Sequence, residues 1–322
     1  MEHAKAKATI IMTVEEATKD REKWLSVRNK GIGGSDAGTI MRMNPYKGRL
    51  SLWLEKTGQK EPDDLSDNES VYWGTKLEDL IADYFTEKTG LKTRRCGTLQ
   101  SVDYPFLLAN VDRMIVGENA GLEIKTAGVR QSSLWRDDEI PDSYYCQCQH
   151  YMLVTGCEKW YICALIGGNK GVIKEIPRND GFIRDLLAAE SGFWVLVENN
   201  IQPEIDDGLE DTADALNLMY PQAVKDKQLE MESNEKLEEI FKEYARYKNL
   251  IKEMKKLVAE CENKIKAVIQ DNERAIIGEH KVSWVNVAGR TGFDSKRLKE
   301  EQPEIYAKYK TVGEPTRKFT MK

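Results

Sequence analysis

Apolar positions along the chain change period several times, and each change marks an element. Leu77, Leu80, Ile81, Tyr84 and Phe85 recur at i, i+3, i+4, i+7 and i+8, which predicts an amphipathic helix over Tyr72–Lys88, closed by Gly90. From Thr93 to Thr126 the apolar residues fall instead into short runs separated by turns. Arg113–Val116 and Leu122–Thr126 flank the loop Gly117–Gly121, the spacing of a β-hairpin. A helix over Ser143–Thr155, strands at Trp160–Ile166 and Val172–Ile176, and a helix over Phe182–Glu198 follow. Before these, a helix ends near Lys30. The turn Gly31-Ile32-Gly33-Gly34-Ser35-Asp36 comes next, with Ser35 expected as the N-cap of a helix running to about Met43. Asn44-Pro45-Tyr46 breaks that helix, a short one covers Leu50–Lys56, and the acidic stretch Glu61–Ser70 is expected to be mobile. Helices, then a β-meander, then helix, strands and helix predict an α+β fold, a mixed sheet with helices packed on it.

The last third reads differently. Between about 225 and 270 the chain predicts one long polar helix. On it Leu237, Ile240, Tyr244, Tyr247, Ile251, Met254, Val258, Cys261, Ile265 and Val268 step alternately by three and four. Such an a/d seam calls for a partner helix. That partner is expected first within the chain, with self-association or an annealing partner as the alternatives. Lys281–Val287 predicts a strand. The change of pattern divides the chain into 1–220 and 221–322.

Length and composition narrow the class. A chain of 322 residues with 40% hydrophobic and 32% charged residues can bury its own core. A net charge of −6 excludes a uniformly basic nucleic-acid binder, but leaves room for a local basic channel. No run of ~18 apolar residues predicts a membrane span. Met1–Ile11 lacks an apolar signal region, so a cytoplasmic protein is expected. The six cysteines form no CxxC pair and are expected as reduced thiols. His3, His150 and His280 have no ligand-spaced partners, which argues against zinc. His150 is expected as a packed or partly wet helix residue.

Candidate chemistry lies in the hairpin. Glu123 and Lys125 are two apart on one strand and share a face, while Leu122, Ile124 and Thr126 share the other. Asp112, 11 residues before Glu123 across the hairpin, comes within reach of it. Two carboxylates and an ammonium then converge at the end of a sheet. Asp112 and Glu123, with the Ile124 carbonyl, form an oxygen ligand set for a hard divalent cation, Mg²⁺ before Mn²⁺. Lys125 is placed to hold or help deprotonate a water. Glu78 sits at the edge of the buried helical stripe, where an acid needs a partner or a metal. Asp79 and Asp83 face outward as solvated charge. Arg28, Gly34 and Ser35 around the glycine turn form a candidate phosphate site. Gln147 and Gln149 lie on a helix among Tyr144, Tyr145 and Tyr151.

In this order the motifs resemble the lambda-exonuclease or YqaJ-type viral recombinase family of the PD-(D/E)xK nuclease superfamily. The likeness is carried by Arg28, Gly31–Asp36, Asn44-Pro45-Tyr46, Trp73-Gly74-Thr75-Lys76-Leu77-Glu78, Ala109-Asn110-Val111-Asp112, Leu122-Glu123-Ile124-Lys125 and Tyr145–Met152, and it covers roughly residues 20–205. Val111 stands where the family has proline, and Asn110 where relatives often have serine. The resemblance implies a restriction-endonuclease-like core and a Mg²⁺-dependent exonuclease. Such an enzyme digests one strand of linear duplex DNA from its 5′ end to mononucleotides, leaving 3′ single-stranded overhangs for phage recombination. It implies a two-metal site with Asp112, Glu123 and Glu78 as ligands, Lys125 as the water-activating lysine and Gln147 near the scissile phosphate. Arg28 and Ser35, with Gly34 and Asn110 beside them, would take the 5′-phosphate or the DNA. It also implies a ring-shaped homotrimer and a single-strand annealing partner. A PD-(D/E)xK endonuclease and a non-catalytic DNA-end-binding module are the competing readings.

Overall fold

The computed structural model describes residues 7–62, 67–313 and 316–321. They fall into two compact units, Met1–Pro221 and Gln222–Lys322.

The first unit opens with strand β1 (Ala8–Met12) and helices α1 (Val14–Lys19) and α2 (Arg21–Asn29). Where one helix ending near Lys30 was expected, Asp20 interrupts it. Its carboxylate accepts the Lys23 N–H at 2.8 Å and so starts a new helix. Helix α3 (Gly34–Ile40) is capped differently from the expectation. Gly33, not Ser35, is its N-cap, and the Asp36 carboxylate reaches back to the Gly33 N–H at 3.0 Å. Ser35 lies inside the first turn, and the helix ends before Met43 because the Met43 and Asn44 N–H groups turn back to Gly38 O. Helices α4 (Arg49–Lys56) and α5 (Glu69–Thr89) follow, the latter closed by Gly90 in the left-handed conformation. Part of the acidic stretch before α5, residues 63–66, lies outside the described residues. Leu80, expected on the buried stripe of α5, is 63% exposed. At i+3 from Leu77 it lies past the edge of the face that Ile81 and Phe85 bury.

Strands β2 (Thr93–Arg94), β3 (Thr98–Ser101), β4 (Leu108–Ala109), β5 (Arg113–Ile115) and β6 (Ala120–Ala127) lead to helix α6 (Asp142–Thr155). Strands β7 (Lys159–Ile166) and β8 (Lys170–Pro177) and helices α7 (Asp180–Glu198) and α8 (Glu210–Met219) complete the unit. The main sheet has the order β2-β5-β6-β7-β8. Only β6 and β7 pair in parallel, and a parallel neighbour requires a crossover, which α6 supplies. A smaller antiparallel sheet has the order β1-β3-β4. This is the α+β architecture, a mixed sheet between helices, that the order of periods predicts.

Side-chain alternation divides the core into two layers. Leu122, Ile124, Tyr161 and Cys163 pack with Ile81 and Phe85 of α5. Trp160, Ile162, Ala164 and Ile166 pack with Tyr151 and Met152 of α6. Glu123 therefore projects from the opposite face of β6 to Leu122 and Ile124, toward α6.

The second unit holds helix α9 (Glu235–Ile269), a hairpin of β9 (Arg274–Ile277) and β10 (His280–Ser283), and helices α10 (Ser295–Glu301) and α11 (Pro303–Tyr309). Asn234 caps α9, so the helix begins about ten residues later than its polar pattern suggested. The strand expected to reach Val287 ends at Ser283, where the partner β9 runs out. No helix of the described residues is long and apolar enough to cross a membrane.

Candidate active site

The hairpin register explains how the acids meet. Arg113 of β5 pairs with Leu122 of β6, so Asp112, one residue before Arg113, enters the sheet directly opposite Glu123. The Ile124 N–H donates to Asp112 Oδ2 at 2.7 Å and anchors that carboxylate. Lys125 Nζ lies 2.5 Å from Glu123 Oε1 and 3.2 Å from Gln147 Oε1. It also stands 4.7 Å over the Tyr144 ring. Gln147 Nε2 donates to Glu123 Oε1 and to Tyr151 Oη, both at 2.8 Å, and Tyr151 Oη donates to Asn110 O at 2.9 Å. One helix, α6, thus supplies Tyr144, Gln147 and Tyr151 at i, i+3 and i+7. That helical spacing marks both tyrosines in the sequence beside the glutamine.

The electrostatics are those of acids taken out of water. Burial, and then the neighbouring Glu123, push the Asp112 carboxyl well above the usual carboxylate range. Burial also raises Glu123, against the pull of Lys125. For Lys125 burial works against the charge, but Glu123 and Asp112 outweigh it and hold the ammonium above the ordinary lysine value. Glu123 Oε2 is buried with no hydrogen-bond partner. Two enclosed carboxylates, one with an orphaned oxygen, form a donor set that suits a hard cation.

Glu78 lies near enough to raise both acids but is engaged by Arg113. Its Oε1 is 2.5 Å from Arg113 Nη1, and Arg113 Nη2 reaches Asp79 Oδ1 at 2.6 Å. Asp79 faces out as expected, its side chain 67% exposed, and there it also meets Arg113 and Arg95, the latter at 2.7 Å. Among the described residues no three His, Cys, Asp or Glu side chains converge as a ligand set. Arg113 is a site residue that strand periodicity conceals, because its partners lie on a helix 34 and 35 residues away.

Beside the acids lies the glycine turn. Arg28 Nη2 donates to Ser35 Oγ at 2.7 Å and the guanidinium sits 5.5 Å from the Trp24 ring. Asp36 and Lys56 form a buried ion pair at 2.8 Å behind the turn. Burial opposes the Asp36 charge, yet Lys56 and Arg28 outweigh it and keep the carboxyl far below its usual range. The Asn110 side chain is held within the protein, accepting from Thr98 Oγ1 at 2.7 Å and Trp24 Nε1 at 3.3 Å. Gln149 likewise ties α6 to the end of β8 and to Asn179. His150 is fully buried between Glu190 and Leu108 O, at 2.7 and 2.9 Å. All six cysteines are free thiols.

Gly34 joins the turn to the acids. A Cβ there would stand 2.5 Å from Tyr151 Cε1 and 3.1 Å from Gln147 Cγ, and the ring is pinned through its hydroxyl. Gly34→Ala is therefore expected to cost about 1–3 kcal/mol, as overpacking does. Chemical denaturation of the variant checks this.

Residues 23–158, which contain Arg28, Gly34, Ser35, Glu78, Asp112, Glu123, Lys125 and Gln147, match the YqaJ-like viral recombinase domain. The chain is 40% identical over 293 residues to the uncharacterized protein YqaJ of Bacillus subtilis (strain 168), covering 90% of this chain and 91% of that one. The chain belongs to the YqaJ-like viral recombinase family. An alignment of that length runs past the first unit, so the likeness within the family includes part of the second. Among solved structures, the chain is similar to an alkaline exonuclease from Laribacter hongkongensis (17% identity, 56% of this chain and 94% of that one, TM-score 0.47). It is also similar to a phage related exonuclease from Haemophilus somnus 129PT (13% identity, 55% and 99%, TM-score 0.42).

Proposed function

We propose that this protein is a divalent-metal-dependent exonuclease that degrades one strand of linear double-stranded DNA from its 5′ end, with Mg²⁺ as the working ion. The observation that carries the reading is the enclosed pair Asp112 and Glu123, with an orphaned carboxylate oxygen and Lys125 and Gln147 arranged around it. Family membership agrees with it.

Asp112 and Glu123 would hold the ion, and Glu78 would join them once released from Arg113. The ion supplies Lewis acidity toward a phosphoryl oxygen and lowers the pKa of water. The chain's own groups do the rest. Lys125, fixed by Glu123, Gln147 and the Tyr144 ring, presents N–H donors that orient a water and neutralise charge on the phosphate. Gln147, locked at Tyr151, keeps the Glu123 carboxylate turned toward the site. Arg28 and Ser35 bind the terminal 5′-phosphate, and the end so seated sets which phosphodiester lies at the acids. The product is a 3′ single strand, the substrate of a strand-annealing protein in phage-type recombination inside the host cell. Assembly as a ring around DNA would let a chain of net charge −6 concentrate its basic residues in a channel.

The test is digestion of linear duplex labelled at the 5′ or the 3′ end, with Mg²⁺ or with chelator, beside covalently closed circles. Early release of the 5′ label as mononucleotide, only with metal and only from linear DNA, is expected. Cutting of the circles would instead establish an endonuclease. A further expected result concerns the phosphate seat: Arg28→Ala slows digestion of 5′-phosphorylated ends more than of 5′-hydroxyl ends. Initial rates on the two substrates check it, and equal slowing would remove the phosphate role.

A further inference from the structure

Helix α9 presents an apolar seam that its own unit leaves open. Along 35 residues the a/d positions recur without a slip. Yet Ile240 is 48% exposed, Ile251 and Met254 52%, Val258 58% and Val268 69%. Leu250 and Leu257 flank the seam and are exposed too. Near its ends the helix meets its own unit, with the Phe319 ring 6.0 Å from Tyr244 and Lys266 6.0 Å from the Trp284 ring. Between them runs an open apolar groove lined by Tyr247, Leu250, Ile251, Met254, Val258 and Ala259. A continuous apolar face of this length in water is strongly unfavourable and marks a contact surface.

We infer that the occupant is α9 of a second copy of this chain, parallel and in register. The charges beside the seam select it. In a parallel pairing a residue just before an a position faces the one just after the following d position of the partner. Glu243 then faces Lys248 of the second copy, twice by symmetry. Of the other flanking pairs, Leu250 with Lys255 and Leu257 with Glu262 bring no like charges together, and Ile269, the position opposite Lys264, is already buried within the chain. In the fully overlapped antiparallel pairing Glu243 faces Lys264, but Lys248 and Lys255 face the same two lysines of the other copy. Within the helix, two of the flanking charges are already paired, Lys264 with Glu260 at 2.6 Å and Glu262 with Lys266 at 3.4 Å, whereas the a and d positions themselves carry no charge. This association concerns the second unit alone and stands or falls independently of the nuclease reading.

Cys261 is a built-in reporter of orientation. It occupies a d position and is exposed as a free thiol. In the parallel pairing two Cys261 residues face each other within disulfide reach. In the antiparallel one Cys261 faces position 244, and the two thiols stand roughly 26 Å apart along the axis. The experiment is sedimentation of the full-length reduced chain, followed by mild thiol oxidation and non-reducing electrophoresis, with Cys261→Ser as control. Expected are a self-associated species and a cross-linked band that Cys261→Ser abolishes. Ile251→Asp with Val258→Asp is expected to lose the cross-linked band and to sediment as a smaller species than the wild type. Because that variant alters helix packing, a charge exchange accompanies it: Glu243→Lys weakens association, and Glu243→Lys with Lys248→Glu restores it. A monomeric wild type, an assembly indifferent to the seam substitutions, or a seam-dependent assembly without the Cys261 cross-link would each overturn the inference.

Discussion

Glu123→Gln, Asp112→Asn and Lys125→Ala are each expected to lower the rate of nucleotide release from linear duplex by at least ~10²-fold, since metal-ion and proton-transfer contributions are each of that order. Binding to the DNA end is expected to persist, because Arg28 and Ser35 are untouched. The stability of Asp112→Asn separates this from a folding defect. Burial and the neighbouring Glu123 disfavour the ionised Asp112 carboxyl, and neutralising it relieves that penalty at nearly unchanged shape. Thermal unfolding of Asp112→Asn in chelator is therefore expected at or above the wild-type temperature, the mark of a site whose charge serves function rather than stability, whereas Glu123→Gln takes the carboxylate away from Lys125, 2.5 Å distant, and is expected to gain no stability. Full activity in all three variants would remove the site. Inactivity together with a large drop in melting temperature would make the acids structural.

Lys56→Met is expected to be the most damaging single change outside that site. Lys56 and Asp36 form an ion pair at 2.8 Å with both side chains buried, and removing one partner strands the other charge. Breaking such a pair costs about 3–5 kcal/mol. Arg28 and the Gly33 N–H remain near Asp36 and hold the loss toward the lower end. The pH dependence has a definite sign. The folded Asp36 carboxyl lies far below its unfolded value of about 3.9. Its stabilisation is thus complete above that value and shrinks as pH falls toward the folded one. Denaturation at pH 7 and again below about pH 4 should show the gap between wild type and variant narrowing in acid. A gap independent of pH would mean that Lys56 acts by packing its stem. Because the pair sits directly behind the Arg28–Ser35 turn, the variant is also expected to lose preference for 5′-phosphorylated ends.

Much of the site could be read from local spacing. Glu123 and Lys125 share a face because a strand alternates, and Asp112 comes near because a short hairpin returns the chain. Gln147 was accessible for the same kind of reason, and the helical interval would have added Tyr144 and Tyr151. Less accessible were groups whose partners come from other elements. Glu78 showed as an acid at the edge of a buried stripe, but its partner Arg113 lies on strand β5. Asp79 is exposed as its spacing implied, yet its two arginine partners come from other elements. Ser35 had the residue type of a cap, while the capping went to the Asp36 carboxylate and Gly33. Leu80 fitted the helical interval and still faces water. A period states which residues share a side, not how far round the helix the neighbouring sheet reaches.

By itself, then, the amino-acid order determined the succession of helices and strands, the pairing of acid and lysine on one strand face, the ordered motifs that place the chain in its family, and the uninterrupted seam of α9. These follow from periods of 2 and 3.6 and from turn residues, which act over a few positions. Tertiary structure alone decided that α6 crosses over between two parallel strands and lies above Glu123, that Arg113 takes Glu78 and Asp79, that Lys56 neutralises Asp36, and that His150 is sealed against Glu190. Each of those contacts joins residues between 20 and 42 positions apart or links separate elements. Their choice depends on which faces meet when the sheet closes on its helices, and on the strong penalty for leaving a charge in that interior without a counter-ion.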